Sequence, residues 1–177
     1  MPDYFVLSDE ELSRHLQMSD VLAFKELHTR YYKRLCFYIG TRVKSQTVIE
    51  DLVQDIFFKI WRKRKKLNIK TSFRSYIYQI ANHRLIDYYR KNKRQFVGLS
   101  EIENIHQGTP HQSTEIQIDL SEAIKILPEK LQTAFILSRF DGLSYAEIAN
   151  VCGIGEKAVA KRLGKALKLL RENLLRA

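Results

Sequence analysis

The chain has 177 residues, of which 45% are hydrophobic and 11% aromatic, and its formal net charge is +10. This apolar content excludes a wholly disordered chain, because it suffices to bury at least one core. The longest apolar run, residues 35–39, is far shorter than the roughly 20 residues that a membrane helix needs. The N-terminal residues lack the basic start and long apolar stretch of a signal peptide. We therefore expect a soluble, intracellular protein.

The sequence contains no motif that would indicate catalysis or metal binding. Cys36 and Cys152 are far apart and lack metal-ligand spacing, which argues against a disulfide scaffold or a zinc module. There is no phosphate-binding loop, no Ser/His/Asp set and no zinc deaminase motif. We therefore expect no catalytic residue, no metal, no cofactor and no small-molecule substrate.

Positive charge is concentrated in two segments. Residues 59–94 hold 13 basic residues and one acidic residue, Asp87, whereas residues 156–177 hold seven basic and two acidic residues. The segments before and between them, 1–58 and 95–155, are each net acidic. Two separate basic patches favour a polyanion that is bound at two places, with nucleic acid preferred over an anionic membrane surface.

The hydrophobic spacing predicts an all-α fold. Few helix breakers occur in the first half, so long helices are expected there. Apolar residues recur every three or four positions over residues 24–39, 49–60 and 73–81, as on one face of a helix. Ser8 followed by Glu11 predicts a capping box at the start of a short first helix.

The helical spacing fails in a polar stretch between about residues 95 and 113. This stretch contains two glycines and one proline, and we interpret it as part of a flexible linker. Beyond it, Pro128 suits the first turn of a helix that ends before Asp141 and Gly142. The sequence thus predicts two small helical domains, residues 1–94 and 116–177, joined by a linker over residues 95–115.

The second domain has the layout of a helix-turn-helix. Ser144 and Glu147 predict a capping box, and Gly153 falls where the turn needs a positive φ. The second helix would turn lysines and short side chains toward DNA, so that its backbone approaches the groove and lysines reach phosphates. An ordinary helical hairpin with a solvated lysine face is the alternative. An inward stripe is expected at Val159, Leu163, Leu167, Leu170 and Leu174.

The first domain contains a helix with aromatic residues on its polar side. When its aliphatic residues face the core, Phe58 and Trp61 lie on or beside a charged stripe, which suggests an anchor for another protein. The alternative is a wider core. The basic helix that follows mixes tyrosines with lysines and arginines. This favours single-stranded or locally melted DNA, since bases stack on aromatic rings only outside the duplex; a core role for Phe73 and Tyr88 is the alternative.

Together these two constellations resemble one family, the extracytoplasmic-function (ECF) group of bacterial RNA polymerase sigma factors. The resemblance covers nearly the whole chain, in the family's order and spacing. It is carried by AFKELHTRYYKRLCFYI, DLVQDIFFKIW, FRSYIYQIANHRLIDYYR and LPEKLQTAFILSRFDGLSYAEIANVCGIGEKAVAKRL. It implies a first domain that docks on the polymerase and opens the promoter, and a second domain that reads the minus-thirty-five element.

The resemblance also implies residue roles. Polymerase docking is implied for Asp51, Leu52, Gln54, Asp55, Phe58 and Trp61. Capture of the melted minus-ten strand is implied for Lys66, Asn68, Lys70, Arg74, Tyr76, Tyr78, Asn82, Arg84, Asp87 and Arg90. Contact with the minus-thirty-five element is expected from Ser144, Glu156, Lys157, Ala158, Ala160, Lys161, Arg162 and Lys165.

The implied partners are core RNA polymerase, promoter DNA as duplex and as melted non-template strand, and an anti-sigma factor that could hold the chain at the inner membrane. On this hypothesis the chain is a promoter-specificity subunit without chemistry of its own. A stand-alone helix-turn-helix regulator is one alternative. A nucleic-acid-processing enzyme is another, although it would need clustered acidic metal ligands and the basic segment offers only Asp87.

Overall fold

The structure is a computed structural model that describes residues 3–69, 71–96 and 123–174. These residues form helices joined by short turns, and none of them lies in a β-strand, in agreement with the predicted all-α class. A short 3₁₀ turn, Arg64–Lys66, follows the third helix. The α-helices with both ends in the described ranges are α1 (Asp9–Gln17), α2 (Val21–Gly40), α3 (Gln46–Lys63), α4 (Phe73–Phe96), α5 (Glu129–Arg139), α6 (Tyr145–Cys152) and α7 (Glu156–Leu174), and residues 123–126 are also helical.

Local capping residues set where several helices begin. The capping boxes predicted for Ser8 with Glu11 and for Ser144 with Glu147 are both present, at the starts of α1 and α6. Asp20 caps α2 by accepting hydrogen bonds from the backbone N–H groups of the first turn, at 2.9 and 3.2 Å. Each such cap stabilises its helix by about 1 kcal/mol, because it satisfies backbone donors that the helix leaves unpaired.

The turn between α6 and α7 confirms the predicted role of Gly153. This residue has φ 65° and ψ 39°, in the left-handed region, and its backbone N–H donates to the carbonyl of Ala149. Glycine adopts this conformation without a Cβ penalty, so the chain can reverse direction within a few residues. The reversal places α6 and α7 as the two helices of the expected helix-turn-helix.

The helices α1 to α4 pack around one core, and α5 to α7 pack around another part of the same buried cluster. In the first half Tyr31, Tyr38 and Phe73 are almost fully buried. In the second half, α5 and α6 both pack on α7. Helix α6 also lies along α4, so the two halves of the chain are in contact.

The predicted start of the linker differs from the structure, and its predicted end lies outside the described residues. Helix α4 continues to Phe96, past the expected start of the linker at residue 95, because the helical hydrogen-bonding pattern persists into that polar stretch. The rest of the proposed linker, together with Ile116 and Leu120, lies outside the described residues.

Candidate functional site

The outer side of α3 carries an exposed stripe with a large aromatic residue in it. Phe58 is 59% exposed, which agrees with its predicted position on the surface. The Arg62 guanidinium lies 5.6 Å from the centroid of the Phe58 ring. An exposed phenylalanine among charged groups is suited to bury its ring against another protein. We call these residues the α3 stripe: Asp51, Gln54, Asp55, Phe58 and Arg62.

An aromatic layer between α2 and α3 lies beside this stripe. The ring centroids of Phe24 and Trp61 are 5.1 Å apart, and those of His28 and Phe57 are 4.4 Å apart. Arg64 stacks over Trp61 at 4.1 Å. Burial lowers the pKa of His28, because desolvation disfavours the imidazolium. The layer fixes the position of α3 against α2, and it keeps Trp61 only partly exposed.

Sequence reasoning overlooked His28 as part of this layer. Phe24, His28 and Tyr32 recur every four residues, which places them on one side of α2. His28 indeed stacks on Tyr32, with the ring centroids 5.1 Å apart. The signal was therefore present as a second stripe on α2, beside the aliphatic stripe that defines the core.

The basic surface begins next to the α3 stripe and continues along α4. Lys66 and Asn68 are exposed in the connection before α4, and Asp87 and Arg90 are exposed near its C-terminal end. Lys70 lies outside the described residues. The exposed side chains carry mostly positive charge, as expected for a surface that approaches phosphates.

An ion pair connects α3 with α4. The Arg84 guanidinium lies 3.8 Å from the Asp55 carboxylate, so residues expected to serve two different partners are neighbours. Both side chains are partly solvated, and a pair of this kind contributes less than about 1 kcal/mol. The pair can therefore exchange for contacts with a partner at little cost.

The structure corrects the placement of Tyr78. This residue was expected to face melted DNA, but its side chain is fully buried and its ring centroid lies 5.2 Å from that of Tyr38. Burial, and secondarily the charge of Asp141, raises the pKa of Tyr78 far above its ordinary value. Tyr76 is partly buried and remains closer to solvent. Tyr78 cannot stack on a base in this conformation.

Helix α4 also contacts α6, along a surface that we call the α4–α6 seam. The Arg74 guanidinium donates to the backbone carbonyl of Asp141 at 3.0 Å, and Asn82 Nδ2 donates to that of Val151 at 3.4 Å. Asn150 Nδ2 lies 3.4 Å from Ser75 Oγ. Arg74 and Asn82 were expected to face the minus-ten strand, and here both contact the second domain.

Asp141 lies in the turn between α5 and α6, close to Arg74 and Tyr78 of α4, and sequence reasoning treated it only as a helix stop. Its side chain is 4% exposed. Burial raises the pKa of Asp141 to about 6, although the Tyr78 hydroxyl and the charges of Arg34 and Arg74 partly oppose this effect. An aspartate before glycine is common in turns, so no local pattern could have identified it as buried.

The helix-turn-helix presents a basic surface on α7. Ser144 is exposed at the start of α6, and Arg162 is partly exposed. The remaining predicted DNA contacts are exposed on α7 and carry three lysines: Glu156, Lys157, Ala158, Ala160, Lys161 and Lys165. Exposed lysines with short side chains between them leave room for a phosphate backbone.

The inward stripe of α7 differs from the prediction at one position. Leu167 is 42% exposed, whereas Ala166 is fully buried. The stripe therefore runs through Val159, Leu163, Ala166 and Leu170, and the side chain of Leu174 lies outside the described part. Ala166 is small, so a packed helix can approach α7 closely at this turn.

Within residues 3–69, 71–96 and 123–174, no helix is both long and apolar enough to cross a membrane. In the same ranges, no group of three His, Cys, Asp or Glu residues is arranged to hold a metal ion.

Comparison with known protein families identifies two matched regions in the chain. The family model for sigma-70 region 2 matches residues 27–95, and the model for sigma-70 region 4 matches residues 117–170. The ECF RNA polymerase sigma factor SigF of Caulobacter vibrioides is 30% identical over 161 residues, which cover 89% of each chain. The chain belongs to the ECF group of sigma-70 family RNA polymerase sigma factors.

Other relatives of this sigma factor span similar lengths. The RNA polymerase sigma factor YlaC of Bacillus subtilis is 29% identical over 165 residues, covering 88% of this chain and 94% of the relative. In fold, the sigma factor resembles the sigma factor RpoE of Bartonella quintana, solved in complex with the anti-sigma factor NepR. That match has a TM-score of 0.69 and 24% identity, and it covers 85% of this chain and 97% of the other.

Within the sigma factor, the α3 stripe and the basic surface of α4 fall in the region 2 match, whereas α5, α6 and most of α7 fall in the region 4 match. The α4–α6 seam therefore joins the two matched regions.

Proposed function

We propose that this chain is a promoter-specificity subunit, which binds core RNA polymerase, directs it to promoters and favours DNA melting during initiation. The observation that carries the proposal is the occurrence of both sigma-70 regions, in order, in a chain with an exposed α3 stripe and a basic α7. On this proposal the chain is not an enzyme, since the polymerase supplies the catalysis.

The polymerase-binding surface is the α3 stripe together with its supports. Asp51, Gln54 and Asp55 would meet cationic groups of the polymerase, while Phe58 buries its ring. Leu52 and Trp61 are partly buried and hold the helix in place. Aromatic residues that become fully buried contribute most to interface stability, so Phe58 is the expected centre of this contact.

The DNA-binding surfaces act at two separate places. Helix α7 would enter the major groove of the minus-thirty-five element, with Lys157, Lys161 and Lys165 at phosphates. The exposed part of the basic surface on α4 would hold the melted non-template strand of the minus-ten element. Stacking of unpaired bases on an aromatic ring such as Tyr76 offsets an unstacking cost of a few kcal/mol.

The domain boundaries that fit this function are residues 1–94 for docking and melting, 95–115 for the linker and 116–177 for minus-thirty-five recognition. We place the protein in the bacterial cytoplasm. An anti-sigma factor would hold it inactive by covering its polymerase-binding and DNA-binding surfaces. This partner could itself be bound to the inner membrane. Pull-down from native cells under repressing conditions tests this partner, and repeated failure to recover one would contradict it.

Run-off transcription tests the proposed function directly. Core polymerase is assayed with and without the chain on a library of promoter fragments, and transcripts are expected only when the chain is present. Specific operator binding by the chain alone, without polymerase and as a dimer on a palindrome, would instead favour a stand-alone regulator. The named relatives are sigma factors and give that alternative no support.

A further inference from the structure

Arg84 of α4 has an incomplete set of hydrogen-bond partners. Its guanidinium lies 3.8 Å from the Asp55 carboxylate, which is too far for a hydrogen bond, so this contact is an ion pair only. The Nε atom of Arg84 is buried and has no hydrogen-bond partner among the described residues. An unpaired buried donor disfavours the arrangement that buries it. An oxyanion that hydrogen-bonds to the guanidinium would therefore satisfy it better than Asp55 does.

Lys59 of α3 adds a second cation close to Arg84. Its side chain is partly buried, and burial lowers the pKa of its ammonium, an effect that repulsion from Arg84 and Lys63 strengthens. The attraction of Asp87 opposes these effects but is smaller than each of them. Within the part of the chain that the structure describes, Lys59 takes part in no close ion pair. Two cations from neighbouring helices are thus held together, and an anion between them would relieve their repulsion.

The surroundings favour a nucleic-acid phosphate as this anion over an acidic group of the polymerase. Lys59 and Arg84 lie where two surfaces meet, because Arg84 belongs to the basic surface of α4 and pairs with Asp55 of the α3 stripe. The polymerase groups opposite the stripe are expected to be cationic, since the stripe carries exposed aspartates. On the other side, the exposed Lys63 and Lys66 extend the positive charge toward α4. A strand that follows these cations passes between α3 and α4.

We propose that Lys59 and Arg84 together bind one phosphate of the melted non-template strand, and that Asp55 competes with this phosphate for Arg84. The inference rests on the proposed function for the identity of the strand. It adds Lys59, which lies on the helix assigned to the polymerase, to the DNA-binding residues. It also gives Asp55 a second role, because its carboxylate lowers the affinity of the free chain for single strands.

A salt series tests whether the two cations share a phosphate. Holoenzyme is formed at saturating core polymerase with Lys59→Ala, Arg84→Ala or both, and is titrated with a promoter fork whose non-template strand is unpaired. We expect each single variant to bind about threefold more weakly or worse, and the double variant to lower the slope of log affinity against log salt by about 0.7, the value for one phosphate of a single strand. A slope lowered by about twice that amount would indicate two separate phosphates and would overturn the shared site.

Uncharged phosphates locate the contact. In a series of forks, one phosphate of the non-template strand at a time is replaced by a methylphosphonate, which removes its charge. We expect one position at which this replacement weakens the wild-type holoenzyme about threefold or more and leaves the double variant unaffected, because both changes remove the same interaction. If no position behaves in this way, the proposal is wrong.

Two further variants separate the phosphate contact from other roles of Lys59. Lys59→Arg keeps the charge and should bind the fork as the wild type does, whereas a loss equal to that of Lys59→Ala would contradict a phosphate contact. Lys33→Ala, at an exposed lysine of α2, is the control and should bind normally. Titration of each chain with core polymerase checks docking. A loss confined to this docking step would make Lys59 a polymerase contact and would overturn the inference.

Asp55→Asn tests the competition without polymerase. The free chain is titrated at low ionic strength with a fluorescent single-stranded oligonucleotide of random sequence. We expect Asp55→Asn to bind about threefold or more tightly than Glu10→Gln, which removes one negative charge at an exposed residue of α1. Equal affinity of the two variants, or no measurable binding by either, contradicts the competition. The proposed function fails differently, when wild-type chain and core polymerase give no run-off transcript, and this titration then still decides whether Asp55 competes with a phosphate.

Discussion

The hydroxyl of Ser72 donates a hydrogen bond to the carboxylate of Glu147, and this bond joins the starts of two helices that are 75 residues apart in sequence. Ser72 Oγ accepts from the backbone N–H of Ser75 at the start of α4, at 3.0 Å. The Glu147 carboxylate also accepts from the backbone N–H of Ser144 at the start of α6, at 2.8 Å. Burial raises the pKa of Glu147, but the bonds from Ser72 and Ser144 outweigh it and the pKa is lowered. The ionised carboxylate of Glu147 therefore links the N-terminal caps of α4 and α6.

Phe58→Ala is expected to weaken the association with core polymerase without unfolding the chain. The ring is 59% exposed, so the free protein loses little packing, whereas an anchor lost from an interface costs about 2 kcal/mol or more. The measurement is a titration of labelled chain with core enzyme, with at least a tenfold weaker Kd expected. The melting temperature should stay within about 2 °C.

Phe57→Ala is the matched control for this prediction. Phe57 is the neighbouring residue and is 4% exposed, so its truncation should destabilise the fold by about 3–5 kcal/mol. If Phe58→Ala lowered the melting temperature as much as Phe57→Ala does, Phe58 would be a core residue and the docking assignment would be wrong.

Lys161→Ala is expected to weaken binding to minus-thirty-five duplex by removing one phosphate contact. Lys161 is exposed on α7, so its loss should not affect folding. A lost phosphate contact lowers the slope of log affinity against log salt by about 1 and weakens binding to different sequences equally. The measurement is binding of the reconstituted holoenzyme over a salt series. Lys44→Ala, exposed outside the helix-turn-helix, is the control, and an equal change in both variants would argue against a contact through α7.

Asp141→Asn is expected to stabilise the chain at pH 7.5 and to leave it unchanged near pH 4. The folded-state pKa of Asp141, about 6, is above its ordinary value of 3.8, so the folded chain binds the proton more tightly than the unfolded chain. The contribution of Asp141 to stability is therefore present below pH 4 and is lost as the pH rises through 6. A neutral amide removes this loss, and we expect the melting temperature at pH 7.5 to rise by about 3 °C.

The pH prediction is measured as the difference between variant and wild type at each pH. The lowered pKa of His28 has the opposite effect on stability near pH 6, but it is common to both proteins and cancels in the difference. A flat difference for Asp141→Asn across the pH range would mean that its carboxyl is hydrated in the folded chain.

Two glycine-to-alanine substitutions are expected to change stability in opposite directions. An alanine Cβ at Gly153 or at Gly164 would meet no atom within 4 Å, so packing plays no part in either change. Gly153 has φ +65°, and Gly153→Ala should destabilise by about 1 kcal/mol or more. Gly164 lies inside α7, and Gly164→Ala should stabilise by up to about 1 kcal/mol. Thermal unfolding measures both, and the same sign for both would contradict the conformational explanation.

Features that depend on neighbouring residues could be predicted from the sequence. The capping box of Ser144 with Glu147 and the left-handed turn at Gly153 follow from local hydrogen bonding and backbone sterics, and both are present. The exposure of Phe58 followed from the helical period, because the aliphatic residues of α3 occupy one side only. The assigned contacts with polymerase and DNA remain predictions.

Features that depend on distant segments could not be predicted in this way. Helix α4 is buried on two sides, by the first core and by α6, so its period does not distinguish Tyr78 from an exposed tyrosine. The burial of Asp141 could not be predicted for the same reason, because the groups around it belong to α2 and α4. On α7, Leu167 was placed inward because it is apolar, but the close packing of this turn is provided by Ala166.

The aromatic layer between α2 and α3 has a practical consequence. Trp61 is the single tryptophan of the chain, and the aromatic and cationic groups stacked on it, Phe24 and Arg64, lie outside the α4–α6 seam. Its fluorescence emission should therefore respond to a tryptophan-free polymerase fragment that covers α3, and not to changes confined to the α4–α6 seam. The protein thus carries an intrinsic optical reporter of contacts made at α3.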